Sequence, residues 1–154
     1  MLNELSITLN NETNTNELAI KIASKIDYGT LLYLSGDLGS GKTSFARGLI
    51  HALGFDGKVK SPSYSLVEQY SLNIHRVNHF DLYRFKAPEE WLESGFNEFI
   101  DGKDINLIEW PEKAYPYLPT PDLLMNWQYM DSNKRKVSIT ASTDRGNECI
   151  KELI

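Results

Sequence analysis

The stretch Gly36–Thr43 reads GDLGSGKT and matches the pattern G-x-x-x-x-G-K-[ST] at every fixed position. Glycines at these positions let backbone N–H groups curl around an anion, and a helix that follows directs its positive dipole end at that anion. In such a loop the lysine, here Lys42, reaches the β- and γ-phosphates of a nucleotide, and the hydroxyl of Thr43 ligates Mg²⁺. The stretch therefore predicts a binding site for nucleotide phosphates.

The segments on either side of this loop have the patterns that such a site requires. Thr30–Leu34 is a short and nearly continuous apolar run, which is typical of a central strand covered on both faces. After the loop, apolar residues recur at helical spacing, at Ala46, Leu49, Ile50 and Leu53. Strand, glycine-rich loop and helix thus follow one another in the order that places a phosphate at the amino end of a helix.

The rest of the chain alternates strand-like and helix-like segments. Strands are predicted at Leu5–Leu9, Tyr64–Tyr70, Ile74–Phe80 and Ile105–Ile108, with an antiparallel pair at Leu123–Tyr129 and Val137–Ala141. Further helices are predicted from Asn14, where Glu17 completes a capping box, from Pro88 to Phe99, and over Asn147–Ile154. The alternation predicts an α/β fold, a three-layer P-loop NTPase-like sandwich with a mixed, mostly parallel central sheet. A length of 154 residues suits a single nucleotide-binding domain over residues 1–154.

Composition and charge weigh against several classes of protein. Hydrophobic residues make up 41% of the chain and charged residues 24%, which is ordinary for a soluble globular protein. The lone Cys149 excludes an internal disulfide framework and favours the reducing cytoplasm. No stretch approaches the roughly 18 consecutive apolar residues of a membrane span, so we expect no membrane association. A net charge of -5 argues against a self-sufficient nucleic-acid surface, and the basic run Lys134–Lys136 is interpreted as a solvated hairpin turn.

A phosphate-binding loop needs an acidic residue for the metal, normally at the end of a neighbouring buried strand. Two candidates follow predicted strands: Asp81 comes after Val77–Phe80, and Glu109 comes after the more apolar Ile105–Ile108. The residue pattern alone leaves open which carboxylate meets the metal. His79 is interpreted as a hydrogen-bonded core or surface histidine rather than as a base.

Four motifs follow one another along the chain: GDLGSGKT at 36–43, SPSYSLV at 61–67, HFDLYR at 79–84 and IEWPE at 108–112. Together, over about residues 5–130, they resemble the TsaE family (older name YjeE) of bacterial P-loop ATPases. The resemblance implies a role in making threonylcarbamoyladenosine beside the anticodon of tRNAs that read codons starting with A. It implies a weak ATPase that acts with the TsaB–TsaD heterodimer, so that tRNA is met only through the complex.

Carried over position by position, the resemblance implies ATP and Mg²⁺ as ligands and phosphate contacts from Leu38, Gly39, Ser40, Gly41, Lys42 and Thr43. It implies Mg²⁺ near Thr43 and Glu109, with Asp81 in the metal shell or orienting water. Lys42, Asp81 and Glu109 then have catalytic roles. Glu12 and Ser63 are implied to approach the nucleotide, Ser63 as part of a mobile segment, Ser61–Ser65, beside the γ-phosphate. Trp110 is implied to brace the site near Glu109.

The sequence departs from the family at two positions in this site. Ser40 stands where the family usually has Ala, a change that is tolerable in a loop that acts through its backbone. Ser63 stands where the family usually has Thr, and this change keeps a hydroxyl group.

Two other functions use the same phosphate-binding loop. One is a small-molecule kinase, although the chain has no arginine-rich lid segment after the core and leaves little room for an acceptor domain. The other is a nucleotide-gated binding module without significant turnover.

Overall fold

The computed structural model describes residues 3–153, and residues 1, 2 and 154 lie outside the described part. The described strands, in chain order, are β1 (Asn3–Leu9), β2 (Leu31–Gly36), β3 (Val67–Ser71), β4 (Arg76–Asp81), β5 (Ile105–Glu109), β6 (Leu123–Tyr129) and β7 (Arg135–Ala141). The helices are α1 (Glu12–Ala23), α2 (Lys42–Ala52), α3 (Glu90–Glu93) and α4 (Asp144–Leu153). No described helix is long and apolar enough to cross a membrane.

The strands form one sheet in the order β1-β7-β6-β2-β5-β4-β3. Strand β2 lies at its centre and pairs in parallel with both β5 and β6, and β4 pairs in parallel with β5. The outer pairs β1–β7, β6–β7 and β3–β4 are antiparallel. The prediction of a mixed sheet is confirmed, and the parallel pairing is concentrated in the four central strands.

Side chains of β2 alternate between two hydrophobic cores, as its apolar run predicts. Leu32 and Leu34 are buried on the face covered by α1, α2 and α4. Leu31 and Tyr33 are buried on the other face, among aromatic residues of α3 and of the loops around it, such as Trp91. The sheet is therefore covered on both sides, and the predicted three-layer α/β fold is confirmed.

Two predicted boundaries in the first half are wrong. Helix α1 begins at Glu12, because Asn11 acts as the N-cap and its side chain accepts a hydrogen bond from the Asn14 N–H at 2.9 Å. Strand β3 begins only at Val67, because the segment before it forms a loop in which the Leu66 N–H bonds Pro62 O at 2.9 Å. Leu66 has a φ of 71°, a left-handed conformation that lies outside the β region.

The predicted helix after Pro88 is also shorter than expected. Only Glu90–Glu93 is α-helical, because Gly95 turns the chain with a φ of 76°, and Phe96–Phe99 continues as a 3₁₀ helix. The apolar residues of this region still pack on the sheet, as their spacing predicts. The closing helix α4 begins at Asp144, earlier than predicted, and the predicted end at Ile154 lies outside the described residues.

The parallel centre of the sheet brings three chain segments to one edge. Gly36 ends β2 and opens the glycine-rich loop, Asp81 ends β4, and Glu109 ends β5. In open α/β sheets ligands bind outside the carboxyl ends of parallel strands. The candidate functional residues from three separate motifs therefore lie at the edge where a ligand site is expected.

Candidate nucleotide-binding site

The glycine-rich loop has a backbone that other residues could not adopt at its two ends. Gly36 has a φ of 134°, and a Cβ added there would lie 2.5 Å from Trp127 O. Gly41 has a φ of 116° and is the N-cap of α2, where no side chain caps the helix. The first N–H groups of α2 are therefore left for an anion, and the helix dipole favours one at this end.

Lys42 lies folded back over the loop. Its Nζ donates hydrogen bonds to Gly36 O and, at 3.3 Å, to Asp37 O, and it lies 3.8 Å from the centre of the Trp110 ring. Burial lowers the pKa of Lys42, although nearby carboxylates, first that of Glu109, oppose this shift. These direct partners are neutral carbonyls and a ring face, which an anionic phosphate can replace at a small cost.

Glu109 is the buried centre of the site and is only 1% exposed. The Thr43 hydroxyl donates to its carboxylate, with 3.0 Å to Oε1 and 3.3 Å to Oε2. On the other side Nε2 of the fully buried His79 lies 2.6 Å from Oε2. A buried carboxylate needs such partners, because taking it out of water without them costs several kcal/mol. The two partners also fix the direction in which the carboxylate points.

Asp81 lies beside Glu109 on the neighbouring strand, at the same level of the sheet. Its Oδ1 accepts a hydrogen bond from the Tyr83 N–H at 3.0 Å. Burial raises the pKa of Asp81, and the negative charge of Glu109 raises it further, whereas the Tyr83 hydrogen bond and the positive groups nearby lower it. Asp81 is therefore a less stabilised anion, and it sits in the cavity described below.

Thr43, Glu109 and Asp81 present one hydroxyl and two carboxylates, which are the hard oxygen donors that Mg²⁺ prefers. Within residues 3–153 no group of three or more His, Cys, Asp and Glu side chains could hold a metal. Mg²⁺ sites for nucleotides do not need one, because one or two carboxylates act together with water and phosphate oxygens. The residues present therefore fit an Mg²⁺ ion that arrives with a nucleotide.

A cavity of about 160 Å³ lies between these groups. It is lined by the loop residues Leu38 to Ser44 and by Ser63, Asp81, Glu109 and Trp110. Ser63 belongs to the loop before β3, and Arg84 holds that loop by donating from Nε to Ser63 O at 3.0 Å. Arg84 also lies 4.3 Å from the centre of the Tyr64 ring. The loop thus forms one wall of the cavity opposite the glycine-rich loop.

A second cavity, of about 300 Å³, lies on the other side of the glycine-rich loop and shares Gly39, Gly41 and Ser44 with the first. Glu12, the exposed first residue of α1, lines it together with Asn11, Thr15, Asn133 and Arg135. Glu12 and Ser63 thus line two adjoining cavities that share residues of the glycine-rich loop and of α2.

Sequence reasoning missed the roles of two side chains. His79 was expected only to be hydrogen-bonded, but it contacts Glu109. The signal in the sequence was its position two residues before Asp81 on β4, because side chains two residues apart on a strand lie on the same face of the sheet. Arg135 was expected in a solvated turn, but it begins β7, is half-buried and donates from Nε to Ser40 O at 3.0 Å. That interpretation of the basic run is wrong for Arg135, because the β6–β7 register directs its side chain at the glycine-rich loop.

The fold and the loop together define the class of the protein, which is that of P-loop proteins. The family model described as "Threonylcarbamoyl adenosine biosynthesis protein TsaE" matches residues 9–137. Bacterial proteins named "tRNA threonylcarbamoyladenosine biosynthesis protein TsaE" are similar to the chain. The one from Haemophilus influenzae is 42% identical over 120 residues, which are 78% of this chain and 75% of that protein. The one from Bacillus subtilis is 30% identical over 143 residues, which are 93% and 89%.

A solved structure gives the same result. The crystal structure of Bacillus subtilis YdiB superposes with a TM-score of 0.83 at 26% sequence identity and covers 99% of this chain and 95% of that one. The chain belongs to the TsaE family. The resemblance seen in its four motifs is thereby confirmed.

The environment of Asp81 predicts that the protein gives up stability to keep this carboxylate. The pKa of Asp81 is higher in the folded than in the unfolded state, so at a pH above both values the ionisation of Asp81 lowers the free energy of unfolding. At a pH below both values Asp81 is protonated in both states, and its ionisation has no effect. Asp81→Asn should therefore raise the midpoint of thermal unfolding by about 1–4 °C at about pH 8, and the gain should shrink towards about pH 4. Asp56→Asn, at an exposed carboxylate, is the control, and a loss of stability in Asp81→Asn at about pH 8 would contradict this account.

Proposed function

We propose that this protein binds ATP with Mg²⁺ in the cytoplasm and hydrolyses it slowly. In this role it is the ATPase subunit required for threonylcarbamoylation of the adenosine next to the anticodon in tRNAs that read codons starting with A, acting with the TsaB–TsaD heterodimer. One observation carries the proposal: in a chain of the TsaE family, the loop residue Thr43 is hydrogen-bonded to the buried carboxylate of Glu109. This pairing joins the phosphate-binding loop to the acid expected to serve a metal.

Each group in the site has a separate role in the transfer of the phosphoryl group to water. Backbone N–H groups of the glycine-rich loop and of the first turn of α2 bind the phosphates. Lys42 exchanges its carbonyl partners for the phosphate oxygens and stabilises the charge that develops on the transferred group. Thr43 and Glu109 would hold Mg²⁺, which when bound neutralises charge on the β- and γ-phosphates. Asp81, whose raised pKa favours the acceptance of a proton, orients the attacking water.

The surroundings of the site support action through a protein partner. The chain has a net charge of -5, so an extended contact with tRNA phosphates is unfavourable without help. Beside the first cavity lie two exposed apolar side chains, Leu38 at 60% and Tyr64 at 84% exposure. Exposed apolar groups around a functional site favour contact with another protein. We expect TsaB–TsaD to dock here and to exclude water from the site, which strengthens its electrostatic interactions.

The loop lysine gives a direct test of ATP hydrolysis at this site. Lys42→Ala should reduce ATP hydrolysis at least about a hundred-fold, because Lys42 carries the positive charge nearest the transferred phosphoryl group. Lys21→Ala, which removes an exposed lysine from α1, should hydrolyse ATP at the wild-type rate. Release of phosphate is measured for both variants, with circular dichroism to check folding. Wild-type hydrolysis by a folded Lys42→Ala protein would exclude the proposed site.

The two carboxylates should differ in their effects. Glu109→Gln keeps an acceptor for Thr43 but removes a metal-facing charge, so we expect an about ten-fold or larger loss of ATP affinity in Mg²⁺ and little change in chelator. Asp81→Asn should slow hydrolysis by about a hundred-fold while changing ATP affinity less than about three-fold. Calorimetric titration with and without Mg²⁺ separates the two. Equal and near-normal Mg²⁺ dependence in both variants would place the metal ligand elsewhere.

Partner binding should be coupled to the nucleotide. If TsaB–TsaD strengthens nucleotide binding, the nucleotide must strengthen TsaB–TsaD binding by the same free energy. The heterodimer is titrated with the protein in ATP analogue, ADP or no nucleotide, and ATP hydrolysis is followed in parallel. We expect tightest binding with the analogue and a raised hydrolysis rate, and neither effect with Lys42→Ala.

The same experiment distinguishes the alternatives. Fast hydrolysis by the isolated chain that the heterodimer neither binds nor alters would contradict the tRNA-modification role. Turnover that depends on an added small acceptor would then favour a kinase. Binding to the heterodimer that depends on ATP but proceeds without turnover would favour a nucleotide-gated binding module.

A further inference from the structure

The β6–β7 hairpin reaches over the outer side of the glycine-rich loop with two side chains. Tyr129 and Arg135 lie directly opposite each other in the antiparallel register. The Tyr129 hydroxyl donates to Gly39 O, and Arg135 Nε donates to Ser40 O at 3.0 Å. The Arg135 guanidinium also lies 4.1 Å from the centre of the Tyr129 ring. We call this pair of residues the hairpin clamp.

The hairpin clamp holds two consecutive peptide groups of the loop by their carbonyl oxygens. In a planar trans peptide the C=O of one residue and the N–H of the next point in opposite directions. Fixing the carbonyls of Gly39 and Ser40 towards the hairpin therefore turns the N–H groups of Ser40 and Gly41 away from it. The Ser40 N–H bonds Asp37 O at 3.1 Å and closes the loop. The Gly41 N–H points away from the hairpin because its peptide carbonyl, that of Ser40, points towards it.

The loop needs such an external support because of its composition. Its glycines allow the required backbone angles but also give the loop more conformational freedom than any other residues would. An anion that binds a mobile loop must order it first, and this ordering reduces the affinity. Tyr129 lies close to the backbone of the loop, since a Cβ on Gly39 would lie 3.0 Å from the Tyr129 hydroxyl oxygen.

We infer that Tyr129 and Arg135 are positioning residues that preorganise the phosphate-binding loop, an inference that rests on the proposed nucleotide binding. They act through the backbone, so they serve the phosphates common to ATP and ADP rather than the γ-phosphate alone. The role of Tyr129 in the fold itself is small. Tyr129 is 52% exposed, and exposed side chains contribute little to the free energy of unfolding.

The test compares nucleotide affinity with stability in single variants of the full chain. Tyr129→Phe removes only the hydroxyl that bonds Gly39 O and keeps the ring under Arg135, and Arg135→Ala removes the bond to Ser40 O. We expect each to weaken ATP and ADP binding equally, by about three- to ten-fold, which corresponds to one lost hydrogen bond. The thermal midpoint without nucleotide should stay within about 2 °C of wild type.

Two matched controls accompany these variants. Tyr28→Phe removes a hydroxyl from a half-exposed tyrosine at the opposite end of β2, and Lys136→Ala removes a positive charge from the same hairpin without touching the loop. Both should bind nucleotides as wild type does. If Lys136→Ala weakened binding as much as Arg135→Ala, the effect would be one of overall charge and the inference would fail.

The outcomes separate this inference from the proposed function. ATP binding by the wild type together with unchanged affinity in Tyr129→Phe and Arg135→Ala would overturn the hairpin clamp and leave the proposed function in place. A loss of affinity that only parallels a loss of thermal stability would also overturn it, since the two residues would then be merely structural. Absence of ATP binding by the wild type would overturn the proposed function and this inference with it.

Discussion

The site depends on the parallel pairing of β2, β5 and β4 at one level of the sheet. Leu34 of β2 is in register with Glu109 of β5, and Glu109 is in register with Asp81 of β4. Just beyond this level the Trp110 N–H bonds Leu34 O at 3.2 Å. A shift of β5 by one residue would turn the Glu109 side chain to the opposite face of the sheet. Thr43 would then lose its acidic partner, although every residue of the glycine-rich loop would be unchanged.

The two neighbouring carboxylates of this site, Glu109 and Asp81, have different surroundings. Glu109 is buried, but the Thr43 hydroxyl and the His79 ring offset the cost of removing its carboxylate from water. Asp81 has one backbone hydrogen bond, and its burial, together with the charge of Glu109, raises its pKa. A pair of titratable groups in unlike environments is a common basis for dividing catalytic roles. Here the hydrogen-bonding partners of Glu109 and the raised pKa of Asp81 support the proposed division, in which Glu109 serves the metal and Asp81 orients water.

Sequence patterns predicted those parts of the structure that depend on interactions between residues close together in the chain. The apolar run of β2, the loop Gly36–Thr43 and the helix after it could be predicted because each follows from short-range periodicity or from a fixed need for glycine. The N-cap of α1 is Asn11 and not Asn14, because the Asn11 side chain accepts a hydrogen bond from the Asn14 N–H, although both asparagines are good N-cap residues in the sequence. Contacts between distant segments, such as His79 with Glu109, depend on strand order, which no local pattern contains. The order β2-β5-β4 became known only with the sheet.

The place of β1 in the sheet has a consequence for the handling of this protein. Strand β1 covers the outer side of β7 along its whole length, from Asn3 against Ala141 to Leu9 against Arg135. A shortened chain without this segment would make β7 the edge strand in place of β1 and would remove Leu5, Ile7 and Leu9 from the hydrophobic core. An edge strand next to newly exposed apolar side chains can pair with strands of other molecules, which leads to aggregation. Residues 3–9, far in sequence from GDLGSGKT, thus cover the outer strand of the hairpin that lies over it.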